Sequence, residues 1–412
     1  MILVEERCAF LDVHRDMVMA CARFPDDTGA RVEQVQQFTT TSKGLLALSG
    51  WLVERGIGLV GMEATGVYWK PVHWILESDI DRVWVINARH MRNVPGRKTD
   101  VGDAQWGCQL LEHGLVRPSF IPDRSTREER DLTRYRRVVV EDRGRESQRL
   151  HKVLEDAGIK LASFTSKVLT KSGREMIDAL IAGQRDPAVL AEMAKGRMRT
   201  KIPELTEALD GRFNAHHAML CSIMLVRIDQ ADQIIGQLSE RVVELQAPHE
   251  AAVQLLIGIP GVSYRTAQVI LAEIGTDMSR FPTAGHLASW AGMCPGNNES
   301  AGKHKSGRTR HGSKWLRITL IEAAHAAARS KDTYLAAHYH RIRGRRGPSK
   351  AAVAVGHSIL VICWHLLSTG ETYTDLGGDY FDKRRTSTAH QRRLVAQLEA
   401  MGLDVTVKPK AA

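Results

Sequence analysis

CAFLDVHRDMVMACARF, residues 8–24, reads as two short strands, CAFLDV and VMACARF, parted by the polar HRD. Both runs are rich in β-branched and aromatic residues, and VEQVQQFT follows at the spacing of a three-strand meander. Asp12 lies inside the first run with apolar neighbours on either side. An inward-pointing carboxylate there is costly unless something neutralises it. The acid is therefore the first candidate for chemistry.

Next along the chain, TTTSKGLLALSGWLVERG offers Thr and Ser caps and then an amphipathic helix that stops at Gly56. LVGMEA reads as a buried parallel strand, GVYWKPVHWILES as a helix, RVWVINA as a strand and DVGDAQWGCQLLEH as a helix. Three antiparallel strands followed by αβαβα is the order of a ribonuclease-H-like (RuvC-like) domain, placed at residues 1–117. The expected class is α/β plus α.

Residues 118–250 turn helical and charged, with eleven Lys/Arg between Arg117 and Lys152 interleaved with seven acids, as on a long solvated helix. Met224, Ile228, Ala231, Ile235, Leu238, Val242 and Leu245 recur at steps of four and three. That is the seam of a coiled coil or bundle, formed within one protomer or between two. A mostly helical C-terminal domain is expected over 251–369, and a polar tail with a short helix near QRRLVAQLEAMG over 370–412.

At 412 residues, 43% hydrophobic and 25% charged, the chain can bury more than one core, which excludes wholesale disorder. The net charge of +10 is concentrated. Lys303–Lys350 holds thirteen Lys/Arg against Glu322 and Asp332, the composition of a polyanion-binding surface. Six cysteines lie far apart without a CxxC pair, which argues against a zinc ribbon or disulfide framework and points to reducing cytoplasm. The N-terminus lacks the pattern of a signal peptide. AAVAVGHSILVICWHLL, interrupted by Gly356, His357 and His365, suits a buried helix better than a membrane span.

Further acids join Asp12. Glu63 ends the parallel strand LVGME, so it projects from the carboxyl edge of the sheet, where ligands of α/β folds gather. Asp100 and Asp103 open a helix at i, i+3 and share a face, about 5 Å apart along the axis. If strands one and four are neighbours, four carboxylates converge. Such a cluster repels itself unless it holds hard cations, and two Mg²⁺ ions about 3.5–4 Å apart would polarise a phosphodiester. Taken singly, Asp100 and Asp103 also suit a helix cap and first turn, and Glu63 a cap of the next helix.

In LIGIPGVSYRTAQVILAEIG, Gly258 and Gly261 flank a turn between two helical patterns, as in a helix-hairpin-helix unit that lets a phosphate approach backbone N–H groups. An ordinary αα corner would look the same. NNESAGKHKSGRTRHGSKWLR follows, with Ser300 and Ser306 among glycines and basic residues. Lys303, Lys305, Arg308 and Arg310 are candidate phosphate ligands, and a serine hydroxyl there is a candidate nucleophile. A basic loop with incidental serines is the bland alternative.

FLDVHRD, GMEATGVYWKPV and GRKTDVGDAQW together resemble the three segments of the DEDD insertion-sequence transposases, the insertion-sequence one-ten family. The resemblance implies that Asp12, Glu63, Asp100 and Asp103 are the acidic catalytic positions. The serine stretch, through HGSKWLRITLIEAAHAAAR, is similar to the family's second domain, whose nucleophile falls on Ser300, with Ser306 as the fallback. Ala301–Gly302 stands where the family commonly has two glycines. The family implies a recombinase that cuts and joins donor and target DNA, guided by a bridge RNA. It also implies a homo-dimer or homo-tetramer with composite sites. Two other readings stay open: a hydrolytic Holliday-junction resolvase using the acids alone, and a noncatalytic nucleic-acid scaffold.

Overall fold

Alternation along β1 (Cys8–Val13) sorts its side chains to two faces, and each face acquires its own helices. The computed structural model describes residues 3–64, 66–87, 99–165, 167–296, 298–300, 303–383 and 387–407. They fall into two compact units, Met1–Ile121 and Pro122–Ala412.

The first unit runs β1, β2 (Met17–Pro25), β3 (Arg31–Thr39), α1 (Ser42–Glu54), β4 (Leu59–Glu63), α2 (Trp69–Leu76), β5 (Arg82–Ile86) and α3 (Asp100–Glu112). Its five strands make one mixed sheet in the order β3-β2-β1-β4-β5. β1–β2 and β2–β3 are antiparallel, and β1–β4 and β4–β5 are parallel. Strands one and four are therefore neighbours. This mixed α/β arrangement is compatible with a RuvC-like DEDD domain.

Ala9, Leu11 and Val13 pack with Leu48, Trp51 and Leu52 of α1 and Val72 and Leu76 of α2 on one face. Cys8 and Phe10 point the other way and pack with Ala104, Cys108 and Leu111 of α3. Each fully buried leucine contributes roughly 1.5–3 kcal/mol to holding a helix on the sheet. Thr41 caps α1 by accepting from the Gly44 amide at 3.3 Å, and Gly56 ends that segment at φ +63°. α3 lies close to the sheet because a Cβ at Gly107 would stand 2.3 Å from the Phe10 ring.

The second unit is helical: α4 (Arg124–Asp156), α5 (Lys171–Ile181), α6 (Pro187–Glu192), α7 (Ile202–Leu209), α8 (Ala215–Gln246), α9 (Glu250–Ile257), α10 (Tyr264–Ile274) and α11 (Ala284–Trp290). A small hairpin, β6 (Asn298–Ser300) and β7 (Lys303–Ser306), comes next. α12 (Lys314–Ala327), α13 (Tyr334–Arg346), α14 (Pro348–Thr369), α15 (Tyr380–Lys383) and α16 (Ser387–Ala400) follow. Contacts between Asp156 and His217, Arg143 and Asp232, and Glu129 and Gln246 show that α4 and α8 run antiparallel. Ile228, Ile235 and Val242 of the heptad pattern are buried in this protomer, so the seam is filled within one chain.

α14 is long and apolar enough to cross a membrane, but it packs as a core helix against α9, α11, α12 and α13. Its Trp364 indole donates to the Phe281 carbonyl at 3.0 Å. The start of the tail is less loose than its composition suggests. Asp375 accepts from the Tyr334 amide at 2.9 Å, and Phe381 stacks on Tyr334 and His338 of α13. All six cysteines are free thiols, and five are buried.

Candidate active site

The acidic group begins with strand register. Cys8 pairs with Leu59 and Phe10 with Gly61, so the next residues on the same face are Asp12 and Glu63, adjacent at the carboxyl ends of two parallel strands. This is the α3 face. Thr99 caps α3 by accepting from the Gly102 amide at 3.2 Å, which sets Asp100 and Asp103 in the first turn, where the helix dipole favours acids. Asp12 is 17% exposed and Asp100 50%.

His14 sits between the two aspartates. Its Nε2 lies 3.0 Å from Asp12 Oδ2 and 3.5 Å from Asp100 Oδ1. Ligand atoms of Asp12, His14 and Asp100 all fall within 4.8 Å of one another, a donor set that suits a divalent cation. Burial raises the Asp12 carboxyl above the ordinary aspartate value; the His14 hydrogen bond pulls it down, and the Asp100 and Asp103 charges push it up again. The three acids thus interact through space, and a bound cation would relieve their repulsion. Glu63 and Asp103 lie outside the tight three-residue group. The Gly96–Lys98 part of the third motif lies outside the described residues.

Ser300 lies in the other unit, at the end of β6, its Cα paired with that of Lys303 across the hairpin. Lys305 and Ser306 continue β7, and the Ala301–Gly302 step lies outside the described residues. Sequence reasoning read this stretch as a loop. Below the strands, the two legs are clamped. The Gly296 amide donates to the Arg308 carbonyl at 2.9 Å, and Pro295 bridges Thr309. Arg317 donates to the Gly292 carbonyl at 3.1 Å and to Thr309 Oγ1 at 2.6 Å. Gly292, at φ +67°, lies so close to the second leg that its Cβ would stand 2.7 Å from the Gly312 amide nitrogen.

The base of the hairpin is anchored by a carboxylate the sequence reading passed over. Ser313, the cap of α12, donates from its hydroxyl to Glu273 at 2.9 Å. Glu273 also takes two hydrogen bonds from Arg134 of α4.

Known protein families match both of these regions. A DEDD transposase model of the IS110 family, described as "Transposase", matches residues 11–159, and a model described as "Transposase IS116/IS110/IS902 family" matches residues 253–340. The chain belongs to the IS110 family of DEDD transposases. A transposase for insertion sequence element IS1111A of Coxiella burnetii is 25% identical over 327 residues, 77% of this chain and 79% of the relative. A putative transposase, y4pF/y4sB, of Sinorhizobium fredii is 29% identical over 149 residues, 35% and 38% of the two chains. An insertion element IS110 uncharacterized 43.6 kDa protein of Streptomyces coelicolor is 31% identical over 121 residues, 29% of each.

This transposase is thus a DNA recombination enzyme. Arg308 and Arg310 are exposed on the second leg of the hairpin. On α4, Arg124, Arg134, Arg137, Arg143, Arg145 and Arg149 pair with acids of the same chain. The charge of that helix is largely consumed internally. Gly261 has a packing explanation as well: at φ +88°, its Cβ would stand 2.4 Å from the Ala323 carbonyl of α12. Gly258 is exposed at the end of α9.

Proposed function

We propose that this transposase cuts and rejoins DNA with Ser300 as nucleophile and with a Mg²⁺ pocket formed by Asp12, Glu63, Asp100 and Asp103. The observation that carries the reading is the convergence of Asp12 and Asp100 on His14, in a chain that also presents Ser300 opposite Lys303. Bound by these acids, a pair of divalent cations would polarise the phosphodiester and neutralise charge that builds on it. His14 orients Asp12 through its 3.0 Å contact. Lys303, Lys305, Arg308 and Arg310 hold the neighbouring phosphates, with Gly258 and Gly261 as a further backbone contact to nucleic acid.

In the first step the Ser300 hydroxyl loses its proton to a base and its oxygen forms a bond to phosphorus. One backbone P–O bond breaks, and the departing deoxyribose oxygen takes up a proton. The phosphoserine ester conserves the energy of the broken linkage until a second strand's hydroxyl attacks it and frees the serine. The ribonuclease-H-like fold of the first unit, guidance by a bridge RNA, assembly as a dimer or tetramer and a cytoplasmic location belong to the same reading and rest on the family.

The test is trapping of protein on DNA. Wild type is expected to give a covalent adduct that is abolished by Ser300→Ala and by Asp12→Asn. An adduct that persists in Ser300→Ala removes that serine. Cleavage without any adduct, untouched by Ser300→Ala, favours the hydrolytic resolvase, which the acids of the first unit could support alone.

A further inference from the structure

The segment from Thr333 to Gly370 contains no aspartate or glutamate, yet carries Arg341, Arg343, Arg345, Arg346 and Lys350. All five are exposed and cluster where α13 ends and α14 begins, around Gly347 at φ +84°. Arg341 is occupied, its guanidinium 4.0 Å over the Phe381 ring. Among the described residues, Arg343, Arg345, Arg346 and Lys350 make no ion pair.

A favourable interaction with the C-terminal dipole of α13 explains one such arginine at about 0.3–1 kcal/mol, and not four cations crowded at one corner. Their mutual repulsion is unfavourable in the free protein and is relieved by a polyanion. α4 shows the opposite economy, since its arginines are matched by acids within the chain. No side-chain cap covers the start of α14, so its first turn adds positive potential to the same corner.

We infer that the α13–α14 corner is a docking surface for the phosphate backbone of duplex DNA, separate from the hairpin that carries Ser300. The segment Arg341–Lys350 contains no aromatic residue, and Phe381, the ring beside Arg341, is already stacked on Tyr334 and His338, whereas single-stranded nucleic acid is gripped by stacking bases on aromatic rings. A cluster of cations not interleaved with such rings suits the phosphates of a duplex and positions it without reading sequence. The inference holds whether or not Ser300 is the nucleophile, because it concerns binding alone.

The test measures equilibrium binding of the full chain to a mixed-sequence DNA duplex, and in parallel to an RNA of the same length, across a salt series. The variant Arg343→Gln/Arg345→Gln/Arg346→Gln is compared with wild type and with Arg145→Gln, whose arginine already pairs with Asp142. Each lost phosphate contact lowers the slope of log K against log salt by about 0.9. The triple variant is expected to lose two to three such steps and at least about tenfold in affinity at low salt, with Arg145→Gln unchanged. Circular dichroism checks that the fold survives. If the triple variant unfolds, the three single variants are each expected to lose about one step. Duplex binding and slope equal to wild type would overturn the inference, as would a loss confined to RNA.

Discussion

Arg134 donates two hydrogen bonds, at 2.8 and 2.9 Å, to Glu273, a carboxylate with 0% exposure. Ser313 supplies a third, and Arg130 lies alongside, its pKa lowered by burial to about 10 against the opposing pull of Glu273. Removing one member of such a set leaves buried charge without compensation, at a cost of about 3–5 kcal/mol. Glu273→Ala is therefore expected to lower unfolding free energy by roughly 3 kcal/mol, allowing for the partial exposure of Arg134. Arg145→Ala, which breaks an exposed pair, should cost less than about 1 kcal/mol. Urea denaturation of both variants checks the contrast, and equal losses would contradict it.

The crowding of Asp12, Asp100 and Asp103 makes a second prediction. Added Mg²⁺ should raise the melting temperature of wild type by binding the folded pocket, with a midpoint that follows ion concentration. Asp12→Asn should flatten that response while raising the melting temperature of the metal-free protein, because a partly buried charge and its repulsion are gone. Differential scanning fluorimetry with and without chelator reads both effects. A full Mg²⁺ response in the variant would move the ion elsewhere.

The first unit was legible because its apolar runs and helix caps agree with one another. LVGME and RVWVI became β4 and β5, the Thr-capped segment became α1, and DVGDAQWGCQLLEH became α3, with Thr99 rather than Asp100 as its cap. His14 was missed although period-two alternation places it on the face of Asp12. The apolar setting that marked Asp12 also surrounds Glu273 in ILAEIG, yet a single acid in a helix gives no hint of its partner 139 residues away. β6 and β7 could not be read from NES and KHKS, which have little strand propensity and owe their form to pairing and to the clamp below. The heptad pattern on α8 was visible, but only the matching charges on α4 reveal that its partner lies in the same chain.

A third prediction concerns pH. Glu129 is buried on α4, and burial raises its carboxyl above the ordinary value of about 4.3, against the Gln246 hydrogen bond. A folded-state value above the unfolded one means that the native state holds the proton more tightly. Its contribution to stability is present below about pH 4.3 and is lost as pH rises through the higher folded value. Glu129→Gln, which keeps the shape and can still accept from Gln246, should thus be at least as stable as wild type at pH 7.5. That advantage should shrink toward pH 4. Urea midpoints at the two pH values decide the matter, and an advantage larger in acid would reverse the sign.

The hydrogen atom that serves as the side chain of Gly107 has a reach beyond the seam it occupies. Asp103 stands one turn earlier on the same stripe of α3, so the thickness of the layer between Phe10 and residue 107 also gauges how far that helix's acids stand from Asp12. A methyl group there would act as a wedge, lifting the acidic end of the helix off the strand edge. The spacing of these acids is thus kept in the dry interior, at a buried glycine one turn beyond Asp103.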